Sequence, residues 1–142
     1  MRRRLSNRVM GVVVLLLCSG SVACEKQKAD PYYVLSVTAR VIDEAGNPIQ
    51  GIYVYPDGYS FRGREGYSDY KGEIYGIAYL SPGDAGIIHF EDVDGEYNGG
   101  LYESLSVDIS NQIAPYKNKP DDWGYTGSSF VQMGDIILKK VK

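Results

Sequence analysis

Between positions 91 and 100 the chain reads Glu91-Asp92-Val93-Asp94-Gly95-Glu96-Tyr97-Asn98-Gly99-Gly100, four carboxylates and a carboxamide within eight residues. Calcium takes about six to eight oxygen ligands, and alternate positions of a turning loop can converge on one ion. Asp92, Asp94, Glu96 and Asn98 have that spacing and are the candidate calcium ligands. An EF-hand is excluded as the template. Its invariant glycine would fall on Tyr97, and its closing glutamate, Glu103, lies in an extended rather than a helical stretch. The competing reading is an acidic hairpin loop in which Asp and Asn cap turns and the glycines take positive φ. No other cofactor is indicated.

Tyrosine is over-used, with 13 residues against 3 Phe and 1 Trp. Many of these rings fall between apolar segments, at Tyr59, Phe61, Tyr67, Tyr70, Tyr97, Tyr116, Trp123 and Tyr125. Aromatic loops at one end of a β-sandwich can stack on sugar faces or grip a protein partner, and loops are where such scaffolds place function. Tyr59, Tyr67, Tyr70, Tyr97 and Trp123 are the candidate binding surface. The alternative is packing: Trp123 closes the core beneath a long loop, and tyrosines occupy half-buried strand faces.

Catalytic groupings are scarce. The one histidine, His89, sits mid-strand between Ile88 and Phe90, and nothing in the sequence ties Ser128, Ser129 or Asp135 to it. A single histidine cannot build a multi-histidine metal site. No phosphate-binding glycine loop, nucleophile elbow or metalloprotease helix is present. The expectation is a protein that is not an enzyme.

The first residues carry a separate message. Arg2, Arg3, Arg4 and Arg8 precede an apolar run from Val9 to Cys18, followed by small residues ending in Ser21-Val22-Ala23-Cys24. That is the layout of a cleaved secretory signal, and the run is too short to span a bilayer as a helix. Ser-Val-Ala-Cys resembles a bacterial lipobox, with serine where leucine is usual, which implies lipidation of Cys24. The expected organisation is a lipoprotein signal peptide over residues 1–23, a lipidated cysteine and tether over 24–31, and one domain over 32–142. The expected location is the cell envelope, on the outer membrane. The formal net charge of −3 becomes −7 without the four signal arginines, which argues against nucleic-acid binding and against electrostatic adhesion to anionic lipid. A covalent lipid is then the link to the membrane. Of the two cysteines, Cys18 would be discarded, so the mature domain has no disulfide.

The remainder reads as strands and turns. Tyr33, Leu35, Val37, Ala39 and Val41 alternate with polar residues, the period-two mark of a half-buried strand. Ile52 and Val54 face inward and Tyr53 and Tyr55 outward. Further strands are expected over 74–80 and 87–93, and over 101–109 with Leu101, Leu105, Val107 and Ile109 inward against Tyr102. A long loop follows over roughly 110–128. In the last strand the apolar positions change parity between Met133 and Ile136, which predicts a bulge near Gly134-Asp135. About seven short strands without helical periodicity imply an antiparallel β-sandwich of immunoglobulin-like or transthyretin-like type.

Two stretches carry a family resemblance. Val41-Ile42-Asp43-Glu44-Ala45-Gly46-Asn47-Pro48-Ile49, continuing into an alternating strand, and Ser68-Asp69-Tyr70-Lys71-Gly72-Glu73-Ile74 resemble the turns of carboxypeptidase regulatory-like domains. That resemblance covers residues 33–80 and implies a non-catalytic transthyretin-like sandwich. The lipobox, the Gly46-Asn47-Pro48-Ile49 turn, the Asp92–Gly100 block and Trp123-x-x-x-Gly127 together resemble the small radical SAM-associated lipoproteins of Bacteroidetes-type bacteria. This second resemblance implies a radical SAM enzyme as a modification partner and supplies no site residues. With no cysteine after Cys24, a cysteine thioether is excluded as the modification. The functional expectation is a lipid-anchored binding or accessory module whose partner is an envelope protein or glycan. The alternative is a client of the neighbouring radical SAM enzyme.

Overall fold

The computed structural model describes residues 28–62, 66–84 and 86–142. The signal segment and Cys24 lie outside the described residues. Six strands follow one another: β1 (Tyr32–Ile42), β2 (Ile52–Pro56), β3 (Glu73–Leu80), β4 (Ile87–Asp92), β5 (Leu105–Asp108) and β6 (Tyr125–Ile137). They form two three-stranded sheets, ordered β3-β1-β6 and β2-β4-β5. The inner faces carry the alternating apolar residues. Leu35, Val37 and Val41 of β1 and Val131 of β6 meet Ile52, Val54, Ile88 and Phe90 of the other sheet, all at most 2% exposed. With no cysteine in the described residues, this core and the backbone pairing hold the domain together. No described helix is long and apolar enough to cross a membrane.

Three departures from the sequence expectation have physical causes. There are six strands rather than seven, because the segment after Gly100 is extended in register only from Leu105. The sandwich is also not wholly antiparallel, since β1 pairs in parallel with β6. The loop over 110–124 stays at the end of the sandwich where β1 begins. There Tyr32 donates its N–H to Gly124 O (2.8 Å) and Tyr33 donates its hydroxyl to Ala114 O (2.8 Å), so β6 departs in the same direction as β1. Finally, the phase is reversed at 101–102, while Leu105, on the edge strand, keeps the inward phase opposite Phe90. Tyr102 is buried at 7% while Leu101 is 41% exposed. The segment closes the sandwich against the C-terminal residues, through Glu103 N–H to Lys139 O (2.8 Å) and Val141 N–H to Leu101 O (2.9 Å), and that pairing sets which side chain turns in.

The parity change in β6 is a bulge. Thr38 pairs with Gln132 and Arg40 with Asp135, so three residues of β6 span two of β1, and Gly134 takes φ +72°. Val131 and Ile136 thereby both reach the core. The turn over 69–72 is equally specified. The Asp69 carboxylate accepts the N–H groups of Lys71 (2.8 Å) and Glu73 (2.9 Å), and Gly72 has φ +74°. A Cβ on Gly72 would stand 2.2 Å from Val41 O, a backbone atom held by its own pairing. Gly72→Ala is therefore expected to lower stability by at least about 2 kcal/mol in urea unfolding, from the left-handed backbone and the clash together. A loss below about 0.5 kcal/mol would show that this turn is free to rearrange.

Candidate functional site

β2 sends Ile52 and Val54 into the core and leaves Tyr53 and Tyr55 on the outer face. β4 does the same, burying Ile88 and Phe90 and turning Ile87, His89 and Glu91 outward. The register Tyr53↔Glu91 and Tyr55↔His89 on one side of β4, and His89↔Ser106 on the other, lays these side chains out as a grid. Tyr67 is added at the β2 edge by a bridge to Tyr53. That edge is pinned from below by buried Ser68, whose hydroxyl donates to Ile49 O (2.7 Å) and accepts the Ile52 N–H (2.9 Å).

The outer rings touch in sequence. Tyr67 lies 5.0 Å from Tyr53, Tyr53 lies 4.9 Å from Tyr55, and Tyr55 lies 5.0 Å from the His89 imidazole, centroid to centroid. The rings turn their faces largely towards one another, and Tyr67, at one end of the row, is 50% exposed. Polar groups border the row. The Tyr55 hydroxyl donates to Glu91 Oε1 (2.6 Å), and that bond holds the Tyr55 phenol above its ordinary pKa. His89 Nε2 lies 3.0 Å from Asp57 Oδ1 and Nδ1 lies 2.8 Å from Ser106 Oγ. With Asp57 ionised, Nε2 carries the proton, and in the neutral imidazole Nδ1 accepts the Ser106 hydroxyl. A shallow hollow of about 390 Å³, lined by Tyr53, Tyr55, Gly58, Tyr59 and Ser60, opens beside the rings. β2, β4 and β5 contain no lysine or arginine.

The residues singled out from sequence do not come together in one place. Tyr59 and Tyr67 join this face. Tyr59 is half-buried, and its hydroxyl bonds to Asp84 and accepts the Ser81 N–H (2.9 Å). Phe61 is core, 6% exposed beneath Gly76. Tyr70 is 70% exposed on the 69–72 turn, with the Lys71 ammonium 5.6 Å from its ring. Tyr97, 78% exposed, sits on the acidic loop at the end of the sandwich where β1 finishes. Trp123, 79% exposed, sits at the opposite end beside the start of β1 and does not close the core. Tyr53, Tyr55, Glu91, Asp57 and Ser106 were absent from the sequence-based set. The outward phase of Tyr53 and Tyr55 is visible in the alternation, but their union with His89 depends on the β2–β4 register.

In the acidic loop, Asp92, Asp94 and Asn98 come together. Asp92 Oδ2 accepts the Tyr102 N–H (2.9 Å), Oδ1 accepts the Asp94 N–H (3.3 Å), and the Asn98 amide donates to Asp94. Glu96 is solvent-exposed on the same loop. Among the described residues no group of three or more His, Cys, Asp or Glu side chains is disposed to hold a metal ion. Burial, together with the neighbouring Asp94, holds the Asp92 carboxyl above the ordinary carboxylate range, against the lowering effect of the Tyr102 N–H. An acid with a raised folded-state pKa costs stability while ionised, and that cost disappears as the pH falls below its unfolded value. Asp92→Asn keeps the acceptor for Tyr102 and removes the charge. It is expected to raise Tm at neutral pH and to leave it unchanged at acid pH; a lowered Tm at both would show that the second carboxyl oxygen, which accepts the Asp94 N–H, matters more than the charge.

No protein-family model matches the chain, and comparison with curated proteins finds no match.

Proposed function

We propose that this protein is a lipid-anchored, non-enzymatic binding module of the cell envelope, and that the outer face of the β2-β4-β5 sheet takes a neutral, hydroxyl-rich ligand of the glycan class. The observation that carries the reading is the row Tyr67–Tyr53–Tyr55–His89 with its border of Asp57, Glu91 and Ser106. The half-exposed Tyr67 ring and the edges of its stacked neighbours offer the apolar contact that the faces of sugars take. Carboxylates, imidazole and hydroxyl offer donors and acceptors at fixed positions, the mixture that fixes orientation in binding sites. Asp57, Asp108 and Glu91, without lysine or arginine on these strands, disfavour phosphorylated or acidic polymers. An open face rather than a deep pocket suits a chain of sugars better than a small metabolite. The membrane link is Cys24, by the lipobox-like Ser21-Val22-Ala23-Cys24.

The Ser106–His89–Asp57 hydrogen-bond chain favours a second reading, a serine hydrolase. Against it, Asp57 is 62% exposed and the group stands on an open sheet face, whereas such catalysis relies on a water-excluded site with oxyanion donors. Calcium at Asp92, Asp94 and Asn98 fits the binding reading as an ordering element, since a cation would relieve the repulsion between the two carboxylates.

Affinity electrophoresis through gels containing neutral or acidic envelope polysaccharide tests the proposal. Retardation by a neutral polymer is the expected result. Unchanged mobility in every neutral polymer, or ester hydrolysis abolished by Ser106→Ala, would overturn it.

A further inference from the structure

We propose that the end of the domain bearing Trp123 and Tyr116 rests on the lipid bilayer itself; this builds on the reading of Cys24 as the anchor. The loop over 121–125 is tightly braced around an unburied indole. Asp121 Oδ1 accepts the N–H groups of Trp123 and Tyr125 (both 2.9 Å), Gly124 donates to Asp121 O (3.1 Å), and Asp121 donates to Tyr125 O (3.1 Å). Gly124 has φ +87° and packs so closely on the chain leading into β1 that a Cβ would stand 2.6 Å from Asp30 O. An ordered turn thus holds a tryptophan, 79% exposed, directly beside the point where the tether joins the domain. Tyr116, 44% exposed, lines a groove of about 480 Å³ at the same end, with Asp30, Pro31, Pro82, Lys117 and Pro120.

The reach of the tether decides which end faces the membrane. Cys24 precedes Asp30 by six residues, a reach of about 20 Å at full extension. β1 alone has 11 residues, or about 36 Å. The acidic loop, at the far end of β1, is therefore beyond the reach of a lipid on Cys24, and the Trp123 end must lie near the headgroups. Tryptophan and tyrosine are the side chains that settle at that depth, with an apolar ring and a polar edge. Lys28, Lys117 and Lys119 at this end are matched by Asp30, Asp121 and Asp122, so contact with the bilayer should not depend on anionic lipid. The outer face of the β2-β4-β5 sheet then runs away from the membrane towards the rest of the envelope.

Trp123 is the one tryptophan of the chain, so its fluorescence reports this contact directly. The lipidated protein, purified from the envelope of the bacterium that makes it, would be reconstituted into phosphatidylcholine vesicles with and without brominated acyl chains. The expected result is a blue-shifted emission that loses about half its intensity to the brominated lipid, as for an interfacial ring. A Trp123→Phe, Tyr97→Trp double variant should remain unshifted and unquenched. Lipid on Cys24 by intact mass, with Trp123 still unquenched or with both positions equally quenched, would overturn the bilayer contact alone. A native chain with no lipid on Cys24 would overturn the anchor and this contact together.

Discussion

Replacing Phe90 with alanine is expected to lower the stability of the domain by about 3–5 kcal/mol, the range for emptying a buried phenylalanine site. Phe90 is fully buried at the centre of β4, between Val54 on β2 and Leu105 on β5. No disulfide among the described residues shares the load, and total stabilities of single domains are only about 5–15 kcal/mol. Urea unfolding followed by tyrosine fluorescence measures the loss. A change below about 1 kcal/mol would mean that the core collapses into the space, and that the outward neighbours His89 and Glu91 are not held as rigidly as their pairing implies.

The opposite pattern is expected on the other side of the same sheet. Tyr53→Ala with Tyr55→Ala should weaken glycan binding by at least about 30-fold, because aromatic anchors carry most of the energy of such contacts. The cost in stability should stay near about 1–2 kcal/mol, the scale of cross-strand and stacked pairs on a half-exposed face. Retardation in affinity gels gives the first number and urea unfolding the second. Equal binding by the double variant would place the contact elsewhere. A stability loss as large as that of Phe90→Ala would make these rings structural.

Much of the fold was legible because period-two patterning is local. The alternation from Tyr33 to Val41 gave β1 its inner face, and the displaced parity of Val131 and Ile136 gave the bulge at Gly134. What failed was set by contacts distant in sequence. Tyr102 turns inward because residues 101–103 meet the C-terminal segment, and no window around Leu101 contains that information. The parallel β1–β6 pair likewise depends on which end of the sandwich the loop after β5 returns to. For the site, sequence drew attention to rings in loops. The structure gathers instead two outward strand tyrosines, one loop tyrosine and the histidine, through the β2–β4 register. Trp123 was ambiguous between packing and surface, because its identity says nothing about which way a braced turn points it.

His89 lies at the end of the ring row and is the one histidine in the chain, so its imidazole protons give an isolated magnetic-resonance signal. The most direct test is to follow that signal while titrating the domain with neutral oligosaccharides cut from envelope polysaccharide. A saturable shift of the His89 signals, lost in the Tyr53→Ala, Tyr55→Ala variant, is the expected result. Saturation detected at other resonances with His89 unmoved, or no saturable change with any neutral oligosaccharide, would contradict the assignment of this face as the binding site.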